Sequence, residues 1–189
     1  MRLLMLALML VSSSTLASWH LDNSKSQLNF ISTKNEHISE IHTFDTLTGS
    51  LGNDGKLSVE IDLTSVNTLI PIRNTRMQEM LFNVAAHKLA SFNTTLPATI
   101  MQLGVGEQVM LEQAGTMHIS GADAEVTFSI SVSRLDDNTF VAHTLKPTLL
   151  SANQFDLTGG IDALRSVAGL KSISYTVPVT FSVTFVATK

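Results

Sequence analysis

Cysteine is absent from the 189-residue chain. Its absence excludes disulfide staples, thiol catalysis and thiolate metal ligation, so the fold must stand on packing and hydrogen bonds. A large domain can do this, whereas a small disulfide-rich module cannot. Charged residues make up only 15% of the chain, the formal net charge is −4, and no basic cluster occurs. That balance gives no electrostatic case for nucleic acid or an anionic membrane. Catalytic motifs are missing too. The six histidines (20, 37, 42, 87, 118 and 143) form no HExxH or HxH pattern and so present no preset metal face. No GxSxG nucleophile elbow is present. Gly104-Val105-Gly106 is too short for a phosphate loop and reads as a hairpin turn.

The N-terminus reads as an export signal. Met1 and Arg2 give a short positive start, residues 3–11 are unbroken apolar, and serines follow. Small residues Thr15 and Ala17 place the cleavage before Ser18, so residues 1–17 form the signal peptide and 18–189 the domain. The apolar run is far shorter than the about 20 residues a membrane span requires. No later stretch is long enough to anchor the chain, and no cysteine offers a lipid attachment point. The expectation is a soluble, periplasmic protein.

What the remaining sequence does have is a period of two. In 56–64, Leu57, Val59, Ile61 and Leu63 alternate with polar residues; in 125–133, Val126, Phe128, Ile130 and Val132 do so. In 172–185, Ile173, Tyr175, Val177, Val179, Phe181, Val183 and Phe185 share one face. Such alternation marks antiparallel strands with one apolar face and one solvated face. Pro178 cannot donate to a ladder, which implies an edge, bulge or bend there. Weaker strand signals fall at 27–33, 41–49, 89–95, 99–105, 116–120 and 139–145. Helical spacing appears twice. Met77, Met80, Leu81 and Val84 predict a helix over 75–85, with Thr75 and Gln78 as a capping box. Ile161, Leu164, Val167 and Ala168 predict another over 161–168, stopped by Gly169. The fold class is all-β, and periodicity alone leaves a closed barrel and a two-sheet sandwich open.

Four ordered motifs carry a resemblance. Trp19-His20-Leu21-Asp22 followed by Ser26, Leu28 and Phe30 opens the domain. Ile61-Asp62-Leu63-Thr64-Ser65-Val66-Asn67-Thr68, then Arg73 and Met80-Leu81-Phe82, form the centre, and Gly115-Thr116-Met117-His118-Ile119-Ser120-Gly121 follows. In residues, order and spacing the chain resembles the YceI-like family, the polyisoprenoid-binding, lipocalin-like periplasmic proteins. It departs where the family has Lys-Pro (here Ala124-Glu125) and where it has Arg-Asp (here Arg73-Asn74), and its late motif survives only as Ser151-Ala152-Asn153-Gln154-Phe155-Asp156. The resemblance implies an eight-stranded antiparallel lipocalin-like barrel with two short helices, around an apolar tunnel for an isoprenoid chain such as a quinone tail. It also leaves pairing of two copies open.

The candidate site follows from the apolar faces. Phe30, Phe44, Phe82, Phe92, Phe128, Ile130, Phe155 and Phe181 are the expected tunnel wall, Met77, Met80 and Leu81 a gate at its mouth, and Arg73 and Asn74 head-group contacts. Arg73 pairing with a surface carboxylate is the competing reading. The expected function is a non-enzymatic periplasmic carrier of an amphiphilic isoprenoid or quinone-like lipid, with no nucleic acid partner, no cofactor beyond a bound lipid and no metal. The alternatives are a filled-core β domain acting through its surface, and a metal-assisted enzyme using the histidines.

Overall fold

The computed structural model describes residues 18–188, so the expected signal peptide, residues 1–17, lies outside the described residues. The strands are β1 (Ser18–Leu21), β2 (Gln27–Lys34), β3 (Ile38–Phe44), β4 (Leu47–Gly52), β5 (Lys56–Asp62) and β6 (Val66–Asn67). They continue as β7 (Leu89–Thr95), β8 (Gln108–Ile119), β9 (Ala122–Asp136), β10 (Thr139–Thr144), β11 (Thr148–Ser151) and β12 (Thr176–Ala187). All pairings are antiparallel and form one 12-stranded sheet. Four pairs of segments (β1 with β2, β3 with β4, β5 with β6, β10 with β11) are successive pieces of one stave, which reduces the 12 to eight. The staves run up and down in chain order and close where β12 meets β1 and β2, with Trp19 opposite Ala187 and Phe30 opposite Val179. Closure leaves no long free edge, and it settles barrel over sandwich.

The breaks within the staves are built by the motif residues. Asp22 accepts from the Ser24 amide at 3.1 Å while the Ser26 hydroxyl donates to the Asp22 carbonyl at 2.7 Å. Asp62 does the same for the Thr64 amide at 2.9 Å, and Ser65 donates back to the Asp62 carbonyl at 2.6 Å. Each acid caps a tight turn that bends its stave, as short polar side chains do when they satisfy local backbone groups. Asn23 then ties two bends together, accepting from the Leu47 amide at 2.7 Å.

Alternation places Leu57, Val59 and Ile61 of β5, Val126, Phe128, Ile130 and Val132 of β9, and Val179, Val183 and Phe185 of β12 among the interior residues. Gly115 of β8 makes room for an aromatic ring: a Cβ there would lie 2.5 Å from Phe92 Cζ. Pro178 sits just beyond the end of the β2 pairing, opposite Leu149 of β11, so its missing amide costs no ladder bond on the open side.

Helices differ more from expectation. Helix α1 (Pro71–Arg76) starts four residues before Thr75, with proline in its first turn, and runs on as a π turn, Met77–Leu81. The expected capping box does not form; Gln78 instead donates to the Thr64 carbonyl at 2.7 Å. Residues 99–105, expected as strand, begin within helix α2 (Ala98–Met101), because Pro97 ends the ladder and its carbonyl accepts from the Ile100 amide. Gly104 to Gly106 therefore turns from α2 into β8 and not within a hairpin. Helix α3 (Thr158–Val167) lies where expected, and Gly169 follows it at φ 64°. The first segment, β1, and the short β11 had no signal in the alternation.

Candidate ligand tunnel

Three cavities line up along the barrel. The deepest, about 90 Å³, is walled by Leu28, Phe92, Phe128, Ile130, Phe181 and Phe185, and closed below by Leu96 and by Ile100 of α2. The middle one, about 130 Å³, is walled by Phe30, Phe44, Met77, Leu81, Phe82 and Phe155. The two share Leu28, Ile61 and Met117, which form a waist. The outer cavity, about 360 Å³, opens between α1, α3 and the β2–β3 hairpin, and shares Phe30, Met77, Leu81, Ile161 and Val177 with the middle one. That mouth falls within the size range of ligand sites, roughly 300–1,000 Å³.

Aromatic rings organise both inner chambers. Phe92, Phe128 and Phe181 stack edge to face at centroid distances of 5.1 and 5.3 Å. Nearer the mouth, Phe30, Phe44 and Phe82 follow at 5.3 and 6.0 Å. Each edge-to-face contact adds about 0.5–1.5 kcal/mol beyond its buried area, which holds the walls in place. Gln113 is the polar side chain in the deepest chamber, and its amide is held by Thr94 Oγ1 at 2.6 Å and the Ala114 carbonyl at 2.9 Å.

The mouth is different in kind. On β2 and β3 the inward positions run from Phe30 and Phe44 to His42, Ser32, Glu40 and Lys34, so polarity rises toward solvent. Glu40 Oε2 accepts from Lys34 at 2.6 Å and Arg73 at 2.9 Å, and the Arg73 guanidinium also donates to the Thr68 carbonyl at 2.7 Å. The Lys34 hydrogen bond, then that of Arg73, holds the Glu40 carboxyl below its usual range despite partial burial. His42 is 3% exposed and sits 2.8 Å from Ser32 Oγ through Nε2. Burial, reinforced by the Arg73 charge, pushes its pKa down, so the ring is neutral at neutral pH. His42 Nδ1 and Arg73 Nε are buried without partners.

Ser32 and His42 are within hydrogen-bond reach, but Nδ1 lacks the carboxylate that orients the imidazole in a nucleophilic triad. Among the described residues, no group of three histidine, aspartate or glutamate side chains could hold a metal.

The expected site residues all line these chambers except Met80 and Asn74. Met80 is exposed, because the π turn (Phe82 amide to Met77 carbonyl, 3.0 Å) shifts it off the face shared by Met77 and Leu81. Asn74 is engaged by the Thr68 amide at 2.9 Å and pins the loop instead of facing the mouth. Arg73 does pair with a carboxylate, yet inside the mouth. His42, Glu40, Lys34 and Ser32 were missed as site residues, and His42 is buried. Their signal was parity: Glu40 and His42 fall on the same alternate positions as Phe44.

A closed up-and-down barrel of eight staves with an apolar interior belongs to the class of β-barrels whose interior either fills with side chains or holds one small ligand. A YceI-like domain model matches residues 19–185, and the chain belongs to the YceI-like family. Its structure is similar to a polyisoprenoid-binding domain from Saccharophagus degradans implicated in plant cell wall breakdown, with 35% identity and a TM-score of 0.87, over 92% of this chain and 100% of that one. It also resembles BcnA from Burkholderia cenocepacia in fold, at 16% identity and a TM-score of 0.66, over 87% of this chain and 98% of that one. Comparison with curated proteins finds no match.

Proposed function

We propose that the chain is an exported, periplasmic, non-enzymatic carrier that holds the hydrocarbon chain of an amphiphilic isoprenoid or quinone-like lipid in the barrel. The observation that carries this reading is the gradient along the axis: two aromatic-lined chambers lead to a mouth lined by Ser32, Lys34, Glu40, His42 and Arg73. A hydrocarbon tail fits the former and a polar head the latter. The polyisoprenoid-binding relative supports the choice of ligand class.

Energetics shape the task. Burying a CH₂ group gains about 0.8 kcal/mol relative to water but almost nothing relative to a bilayer. Extraction from a membrane is therefore near neutral, which suits reversible carriage. Head-group contacts supply the selectivity. Ser32, Lys34, Glu40 and Arg73, whose side chains line the mouth, are the polar groups an oxygen-bearing head would meet.

The test is retention of a labelled polyprenol or quinone by purified protein. Phe128→Asp and Phe181→Asp put a charge into the deep chamber and are expected to lower retention by about tenfold or more, with circular dichroism confirming the fold. Phe128→Trp, which fills the chamber without charge, should also displace the tail. Unchanged retention in all three would reject a tunnel-bound tail. The small volumes of the inner chambers favour one rival, a filled-core domain acting through its surface, which predicts no retention even by the unaltered protein.

A further inference from the structure

Beside the mouth, Leu69, Ile70, Pro71 and Ile72 form an unbroken apolar run in which every residue is exposed. Leu69 is 87% exposed, Ile72 58% and Ile70 43%. Leu69 also sits in the left-handed region, at φ 62°, which a bulky residue rarely adopts. The surroundings impose that conformation: Asn67 Oδ1 accepts from the Leu69 amide at 3.0 Å, and Asn74 Oδ1 accepts from the Thr68 amide at 2.9 Å. A strained backbone that presents an apolar side chain to water points to use at that spot.

Across the opening, Val167 of α3 is 45% exposed. Ile70, Ile72 and Val167 also line the mouth chamber, so one apolar surface runs from the outside of the protein into the tunnel. Lys34 and Arg73 are tied to Glu40, whereas among the described residues Arg76, in the chamber wall, and Lys171, next to it, have no carboxylate partner. Long cationic side chains beside an apolar lip can reach lipid phosphates while their stems stay in apolar surroundings.

We propose that the lip formed by Leu69–Ile72 and Val167 inserts into the edge of a lipid bilayer, with Arg76 and Lys171 at phosphate level. Docked in this way, the mouth faces the membrane and a lipid tail passes into the barrel without crossing water. The proposal deepens the carrier reading and rests on it for its purpose. The chain's acidic balance gives no long-range attraction, so docking depends on the apolar lip.

The missing cysteine makes a direct test available. Leu69→Cys, labelled with an environment-sensitive dye, is mixed with vesicles of phosphatidylethanolamine and phosphatidylglycerol. The expected result is a blue shift, with quenching by brominated lipid; the same dye on Met110→Cys, exposed on the outside of β8, stays unshifted. In flotation, the Leu69→Glu protein, altered at a lip residue that lines none of the three chambers, should bind vesicles about tenfold less than the unaltered protein, while retaining preloaded polyprenol. An unshifted lip probe, or undiminished flotation of the Leu69→Glu protein, overturns the proposal. A concentration-dependent shift without vesicles, together with sedimentation as a dimer, would assign the lip to a second copy of the chain and also overturn it. A shifted lip probe in protein that retains no lipid would keep the docking surface and reject the carrier reading instead.

Discussion

His42 shows how much one position can carry. It shares the parity of Phe44 and so faces inward, but strand periodicity weighs only apolar residues, and a histidine adds nothing to an apolar pattern. Its burial links the mouth to pH. A base whose folded pKa is depressed binds fewer protons in the folded state than in the unfolded state between the two values. Its contribution is therefore complete above the ordinary value of 6.5 and declines as pH falls through it. Glu40, a carboxyl held below its usual range, acts in the same direction at lower pH: its contribution is present above the ordinary carboxylate value and lost as pH falls through the folded one. The urea midpoint should therefore fall from about pH 7 to about pH 5, and His42→Asn should flatten that part of the profile. An unaltered profile in the variant would assign the acid sensitivity to other groups. Asp22 and Asp62 are the opposite case. Their motifs were legible, and the structure supplies the reason: each caps the turn that bends its stave.

At the scale of elements, strands were more legible than helices because β5, β9 and β12 repeat their alternation over many residues. β8 was read only as 116–120, since Gln113 and Gly115 occupy inward positions and Met110 an outward one, which blurs the pattern of a strand spanning Gln108–Ile119. β1 and β11 are too short to show a period. The helices depend on context. α1 begins at a proline and loses its regular phase in a π turn, so spacing alone misplaced both its start and Met80. The contact that positions this π turn is backbone on backbone: a Cβ on Gly160 of α3 would lie 2.8 Å from Leu81 Cα and Met80 O. Gly160→Val should push the two helices apart. The expected outcome is faster exchange of bound lipid in a stopped-flow displacement assay, with the β content unchanged by circular dichroism. Exchange at the unaltered rate would show that this helix contact does not gate the tunnel.

For the molecule as a whole, closure was the feature periodicity left open. Barrel and sandwich share their alternation, and the difference lies in the long-range pairing of β12 with β1 and β2, which local patterns do not encode. Most of the tunnel wall was legible because an inward apolar residue of a barrel is also a lining residue. The polar mouth was less so, since it is assembled from β2, β3 and α1. The waist at Leu28, Ile61 and Met117 separates the two inner chambers, and an unbranched methionine can move aside for a long chain. Met117→Trp should block the waist and shift binding toward shorter prenyl chains in a competition series; an unchanged preference would place the tail elsewhere. On the proposed reading, the barrel already holds a lipid when it is taken from the periplasm. Native mass spectrometry of protein purified from a bacterial periplasm without detergent, followed by lipid extraction, tests it most directly. A discrete stoichiometric adduct, extracted as an isoprenoid or quinone-like lipid, is the predicted result. Clean apo-protein that also takes up no added quinone or prenol would contradict the account.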